Sequence, residues 1–216
     1  IHIGYFRRPI KMSNKLKSGS PIQVFYTGNS KSFPTISHAE NLYMWDKTGK
    51  KYFDASSGPV ATNLGHGNKN VLKAMKEQSE KVCFASYSVF ENEPNKKLAK
   101  KLVKLAGPGF DQAFLVSGGS EAVEASFKLA RQYAMQIGLP NKCKILSRCV
   151  SYHGSTMGAF STSGDPETQK TFGNMTKLMP KVLTPFSYRL PKNYDLNSYA
   201  RRCAKDLEDT ILKEGP

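Results

Sequence analysis

Apolar positions along this chain recur at two spacings, and the spacing changes wherever glycine or proline intervenes. Leu42 to Trp45 and Lys51 to Phe53 flank the cluster Asp46-Lys47-Thr48-Gly49. Short apolar stretches on both sides of turn-forming residues, with Gly49 where a positive φ is needed, predict a β-hairpin. Two loops of small residues follow, Asp54-Ala55-Ser56-Ser57-Gly58-Pro59 and Leu64-Gly65-His66-Gly67, of a kind that lines sites. Helical periodicity begins at Asn68, which can cap a segment carrying Val71, Leu72, Met75 and Val82. Pro94 opens a second helix with Leu98, Leu102, Val103 and Leu105, and Gly107-Pro108-Gly109 stops it.

Further on, the apolar run Ala113 to Val116 reads as a strand that meets Ser117-Gly118-Gly119-Ser120. Beyond it Ala122, Ser126, Leu129 and Tyr133 return at helical spacing. Another strand is predicted at Lys144 to Ser147, and a last helix carries Leu196, Tyr199, Ala200, Cys203, Leu207 and Ile211. Strands alternating with helices predict an α/β fold with a mainly parallel sheet. Two or three strands are few for such a sheet, which needs cover on both faces, so it reads as incomplete.

Composition narrows the class. The 216 residues are 39% hydrophobic, 11% aromatic and 23% charged, the profile of a globular chain and not of a disordered or fibrous one. No run of about 18 apolar residues occurs, so no membrane-spanning helix is expected. With 32 Lys and Arg against 17 Asp and Glu the formal charge is +15, which attracts phosphate backbones without regard to sequence. The lysines, such as Lys73, Lys76 and Lys81, are scattered over solvent-face positions; the expectation is a basic solvated surface and no nucleic-acid partner. Cys83, Cys143, Cys149 and Cys203 form no C-x-x-C pair, so neither a zinc site nor a disulfide framework is expected, and no metal. Free thiols suit a reducing, intracellular compartment.

The chain opens at Ile1, and six basic residues, Arg7, Arg8, Lys11, Lys15, Lys17 and Lys31, precede the first acidic one, Glu40. Such a leader is either an organelle-targeting segment, which would make a mitochondrial location possible, or sequence ahead of a start at Met12. The second reading is preferred, and with it the cytoplasm.

The chemistry concentrates at Ser117-Gly118-Gly119-Ser120-Glu121-Ala122. A glycine turn that opens a helix points backbone N–H groups outward with the positive end of the helix dipole, which makes an anion cup. Glycine lets a phosphate approach closely and Ser120 adds a hydroxyl. Glu121 opposes an anion unless its side chain turns away. The pattern is neither G-x-G-x-x-G nor G-x-x-x-x-G-K-[ST], so dinucleotide and nucleoside-triphosphate readings lose support. On the pattern alone, phosphate binding and a purely structural tight turn both stay open.

Three ordered segments carry a resemblance. The stretch from Val116 to Tyr133, VSGGSEAVEASFKLARQY, resembles the cofactor-phosphate segment of class III pyridoxal-phosphate-dependent aminotransferases. Ser151-Tyr152-His153-Gly154-Ser155-Thr156-Met157-Gly158-Ala159 is similar to that family's aromatic-His-Gly segment, and Tyr43 through Gly67 to its N-terminal portion. The similarity covers roughly residues 25 to 216. It implies a fold-type-I transferase in three parts: a leader or upstream sequence at 1–24, an N-terminal segment with the hairpin at 25–67, and the N-terminal half of the large cofactor domain at 68–216. It also implies pyridoxal 5′-phosphate as cofactor, a homodimer or larger assembly, and a lysine that holds the cofactor as a Schiff base.

By the same resemblance Gly119 and Ser120 hold the cofactor phosphate and Tyr152 stacks on the pyridine ring. Read alone, Tyr152 is a core aromatic and His153 a satisfied loop histidine; under the resemblance His153 helps position the site, with no contact assigned to it. Tyr87 and Phe90 fall in a region that lines the family's substrate channel, with ordinary packing as the alternative. The implied reaction passes an amino group from an amino acid, ω-amino acid or amine donor to a keto-acid acceptor. Arg148, Arg189, Arg201 and Arg202 are unranked candidates for meeting a substrate carboxylate. The family's lysine, and the acid that pairs with its pyridine nitrogen, lie beyond the segment matched by Leu207 to Pro216. No catalytic residue is therefore named, and the chain is expected to be an N-terminal portion, inactive alone. Alternatives are an aminomutase or decarboxylase on the same scaffold, or a truncated product without catalysis.

Overall fold

The turn expected at 46–49 is organised by one buried carboxylate. In the computed structural model, which describes residues 33–215, Asp46 Oδ1 accepts from Thr48 N at 2.8 Å, Thr48 Oγ1 at 2.6 Å and Lys50 N at 3.0 Å, and Oδ2 accepts from the Tyr52 hydroxyl at 2.7 Å. These donors, the Thr48 hydroxyl first and Tyr52 next, hold the Asp46 pKa down to about 2. The leader assigned to 1–24 lies outside the described residues.

Strands β2 (Tyr43–Asp46) and β3 (Lys51–Phe53) form the hairpin, with Tyr43 opposite Phe53 and Trp45 opposite Lys51. β1 (Ile36–Glu40) pairs antiparallel on the far side of β2, with an irregularity between Ile36 and His38. Cross-strand side chains reinforce the ladder: Lys51 Nζ lies 3.8 Å from the Tyr43 ring centre and His38 stacks on Trp45 at 4.8 Å.

The described residues fall into two compact units, 33–113 and 114–215. In the first, α1 (Ser57–Val60) sits inside a loop that Asp54 closes: its carboxylate accepts from Ser57 N at 2.8 Å and from His66 Nε2 at 2.8 Å. His66 and Asn41 also exchange backbone hydrogen bonds of 2.8 and 2.9 Å. Gly65, at φ +82°, makes this approach possible, since a Cβ there would stand 3.3 Å from Asn41 Cα. α2 (Lys69–Ser79) is capped by Asn68 and α3 (Glu93–Ala106) by Asn92, with Pro94 in its first turn and Gly107 at its end at φ +90°.

The second unit carries α4 (Gly119–Gln136), β4 (Ser147–Arg148), α5 (Met157–Thr162), α6 (Pro166–Phe172), β5 (Lys181–Val182) and α7 (Leu196–Glu214). β4 and β5 pair in parallel, Ser147 opposite Lys181. Asp195 and Ser198 cap α7 reciprocally, and Asp206 accepts from Leu183 N at 2.7 Å, which docks the helix on β5. Ala134, Ala159, Phe160 and Val182 are the buried apolar residues of this unit.

Two expectations shift. The strand expected at Lys144 to Ser147 is paired only at Ser147–Arg148, and the apolar run Ala113 to Val116 lies in neither sheet. A parallel strand is defined by the ladders it makes with neighbours, which hydrophobic pattern alone does not supply. Among the described residues no helix is long and apolar enough to cross a membrane, and no group of His, Cys, Asp and Glu is placed to hold a metal.

Candidate functional site

In the second unit the glycine turn at 117–120 leads directly into α4. Gly118 enters the helix in extended conformation, and no side chain caps the 18-residue helix that follows. Asn68, Asn92 and Asp195 do that service for α2, α3 and α7. The first N–H groups of α4 are thus left for an outside acceptor, at the positive end of the dipole. A Cβ built on Gly119 meets nothing within 4 Å, so the helix start faces open space.

Ser120 is fixed from the other side. Its Oγ accepts from the backbone N–H of Ser155 at 3.0 Å, which leaves the hydroxyl proton to donate outward. The approach is tight because Gly154 is a glycine: at φ +141°, a Cβ there would lie 2.7 Å from Ser120 Oγ, 3.0 Å from Ser120 Cα and 2.7 Å from Ala159 Cβ. Glu121 does not turn away. Its carboxylate folds back beside Gly118, whose Cβ would stand 2.8 Å from Oε2; the side chain is exposed.

The segment from 151 to 155 is pinned at several points. Ser163 Oγ accepts from His153 N at 3.0 Å, Ser151 O from Gly164 N at 2.8 Å, and Gly164 O from Val150 N at 2.8 Å. Tyr152, in the middle of this clamp, is 56% exposed in residues 33–215. His153 contributes instead to a cavity of about 210 Å³ with Phe127, Arg148 and Thr162. Tyr87 and Phe90 belong to the first unit and are exposed. Arg189 lies in a short 3-10 turn and Arg201 and Arg202 on α7.

Two residues missed from the sequence complete the geometry. Glu124, one turn beyond Ser120, accepts from Gly158 N at 3.1 Å, so α4 holds the 155–158 stretch at two rungs. The signal was present as an i, i+4 polar pair on α4 and a Gly-x-x-x-Gly spacing at Gly154 and Gly158. The half-buried Lys181 has its pKa lowered by burial, but its Nζ donates to Ser161 O at 3.0 Å and Met179 O at 2.9 Å, a structural tie.

An uncapped helix start, a glycine facing open space, an outward hydroxyl and an exposed aromatic suit a flat ligand with a phosphate tail. The sequence pattern that defines the class III aminotransferases matches residues 25–215. The chain belongs to the class III aminotransferases. It is 40% identical over 202 residues to an uncharacterised aminotransferase of Schizosaccharomyces pombe, covering 93% of this chain and 44% of that one. An uncharacterised aminotransferase of Bacillus subtilis is 39% identical over 184 residues, 85% of this chain and 41% of its own.

Among solved structures, the omega transaminase of Pseudomonas jessenii in complex with PMP superposes with a TM-score of 0.84 at 30% identity, covering 90% of this chain and 45% of that one. The fold is that of fold-type-I transferases, and this class III chain spans less than half the length of these relatives. The cofactor of the class III enzymes is pyridoxal 5′-phosphate. Its two recognisable parts, phosphate and ring, fit the open start of α4 and the exposed Tyr152.

Proposed function

We propose that the enzyme containing these residues transfers an amino group from an amino acid, ω-amino acid or amine to a keto acid, and that residues 114–215 supply one side of its cofactor site. The observation that carries this reading is the uncapped start of α4, with Ser120 locked to Ser155 three residues from Tyr152, in a class III chain. Gly119 and Ser120 offer backbone N–H groups to the phosphate and Ser120 adds its hydroxyl proton. Tyr152 lays its ring against the pyridine and sets its plane. Bound there, the cofactor supplies an electron sink for bond breaking at the amino-bearing carbon.

The catalytic lysine and the acid that faces the pyridine nitrogen belong, in this reading, to a part of the enzyme other than residues 1–216. The working assembly is a homodimer. The free cysteines Cys83, Cys143, Cys149 and Cys203 suit a reducing compartment such as the cytoplasm. The likeness to an omega transaminase favours ω-amino donors.

The test is to incubate the whole enzyme, loaded with pyridoxal 5′-phosphate, with an ω-amino acid or a primary amine and pyruvate. Alanine should appear in step with pyruvate consumed. Donor conversion that continues without any keto acid would replace transamination with a mutase or decarboxylase reaction; no conversion of any amine would remove the activity.

A further inference from the structure

α5 begins without a cap of its own. Its N-cap residue, Thr156, makes no side-chain hydrogen bond to the helix, yet the first N–H groups of any helix need acceptors. The acceptor comes from α4. Glu124 Oε1 takes the Gly158 N–H at 3.1 Å. The fit is close: a Cβ on Gly158 would stand 2.6 Å from Oε2 and 2.7 Å from Oε1. The buried Thr156 hydroxyl makes no geometric hydrogen bond but is close enough to act on the Glu124 carboxylate. With that hydroxyl foremost, and helped by the Ala159 and Gly158 N–H groups and Lys128, the Glu124 carboxyl is held below its ordinary pKa against the desolvation that opposes it.

Ser120 and Glu124 are four residues apart and share one face of α4. Ser120 grips residue 155 and Glu124 grips residue 158, so the stretch just after Tyr152 is fastened at two points to the helix whose start offers the phosphate donors. The bonds from His153 N and Ser151 O tie the stretch to residues 163 and 164; Ser120 and Glu124 are what tie it to α4.

We infer that Glu124 is a positioning residue, which sets the Tyr152 segment relative to the start of α4 by capping α5 and touches neither cofactor nor substrate itself. This rests on the reading that Gly119 and Ser120 hold the phosphate and Tyr152 the ring. Removing the Glu124 carboxylate should therefore disturb the ring while leaving the phosphate donors in place.

The experiment uses the whole holoenzyme and reads the visible circular dichroism of the bound cofactor, which depends on how the ring is held. In Glu124→Ala the visible signal should fall and cofactor loss on dialysis should quicken roughly fivefold, the loss of one cap. Inorganic phosphate should compete with cofactor reloading of the apoprotein as well as in the parent. Glu124→Gln keeps an oxygen acceptor for Gly158 N–H and should restore most of the signal. If Glu124→Ala does not fold, Gly158→Ala, whose methyl would collide with the carboxylate, should give the same loss of signal.

A parental visible spectrum in folded Glu124→Ala, or in Gly158→Ala where that is the variant that folds, overturns the inference. So does weakened phosphate competition, which would place Glu124 with the phosphate donors. Ser120→Ala, measured alongside, separates the two levels. If it too leaves cofactor retention unchanged, the reading of the site itself has failed; if it weakens retention while Glu124→Ala changes nothing, only the role of Glu124 has.

Discussion

The backbone N–H of Ser155 donates to Ser120 Oγ across 3.0 Å, so the serine in the first turn of α4 is held by the loop that carries Tyr152. An aminotransferase must control both ends of a long, flat cofactor at once. In this chain one hydrogen bond joins the groups proposed for the two ends, and its length is set by Gly154, where any larger residue would strike Ser120.

Gly119 faces open space, so a side chain there should be tolerated by the fold and resented by the ligand. Gly119→Val in the whole enzyme should weaken retention of pyridoxal 5′-phosphate about tenfold or more, the scale of a lost hydrogen bond to a charged group. Its thermal midpoint without cofactor should stay near that of the parent. Unchanged retention on dialysis would remove Gly119 from the phosphate site.

Gly154 should behave in the opposite way. Its φ of +141° and the 2.7 Å approach of Ser120 Oγ and Ala159 Cβ leave no room for a methyl group. Gly154→Ala should destabilise the apoprotein by on the order of 2 kcal/mol or more, seen as a lower denaturation midpoint. A midpoint equal to that of the parent would mean that the loop does not sit against Ser120.

Tyr152 is exposed, and its proposed partner is the cofactor ring. Tyr152→Ala should shift the visible absorbance of the holoenzyme and loosen the cofactor several-fold, whereas Tyr152→Phe keeps the stacking face and should change little. An unaltered spectrum in the alanine variant would argue against stacking.

Asp46 makes a pH prediction whose sign is fixed. Its folded pKa, about 2, lies below the ordinary 3.8, so the carboxylate stabilises the fold above the ordinary value. That contribution disappears as pH falls through the folded one. Asp54, Asp195 and Glu214 are lowered too, so the parent should lose stability in acid for several reasons. The Asp46 share is isolated by Asp46→Asn, whose deficit relative to the parent should shrink as the pH drops from 5 toward 2 in thermal melts. A deficit that stays constant over that range would mean that Asp46 does not titrate in the turn as described.

What could be read from the sequence was local. Gly49 in the hairpin turn, Asn68 and Pro94 at helix starts and Gly107 at a helix end act within a few residues of where they stand. The glycine turn before Ser120 was legible for the same reason, and the family resemblance is what makes the cofactor phosphate its proposed ligand. The strand expected at Ala113 to Val116 was not realised among the described residues because a ladder depends on neighbours, and β1 escaped notice because its polar sequence becomes a strand only by pairing with β2. Glu124 was half legible for a related reason: the Ser120/Glu124 pair and the Gly154/Gly158 spacing are local patterns, but the 34 residues that separate Glu124 from Gly158 are bridged by no local rule.

The most direct measurement is the crystal structure of the whole enzyme with pyridoxal 5′-phosphate bound. The account predicts phosphate oxygens within about 2.7–3.2 Å of the backbone N–H groups of Gly119 and Ser120 and of Ser120 Oγ, with the ring lying on Tyr152. A phosphate held elsewhere, with the start of α4 facing only water, would contradict it.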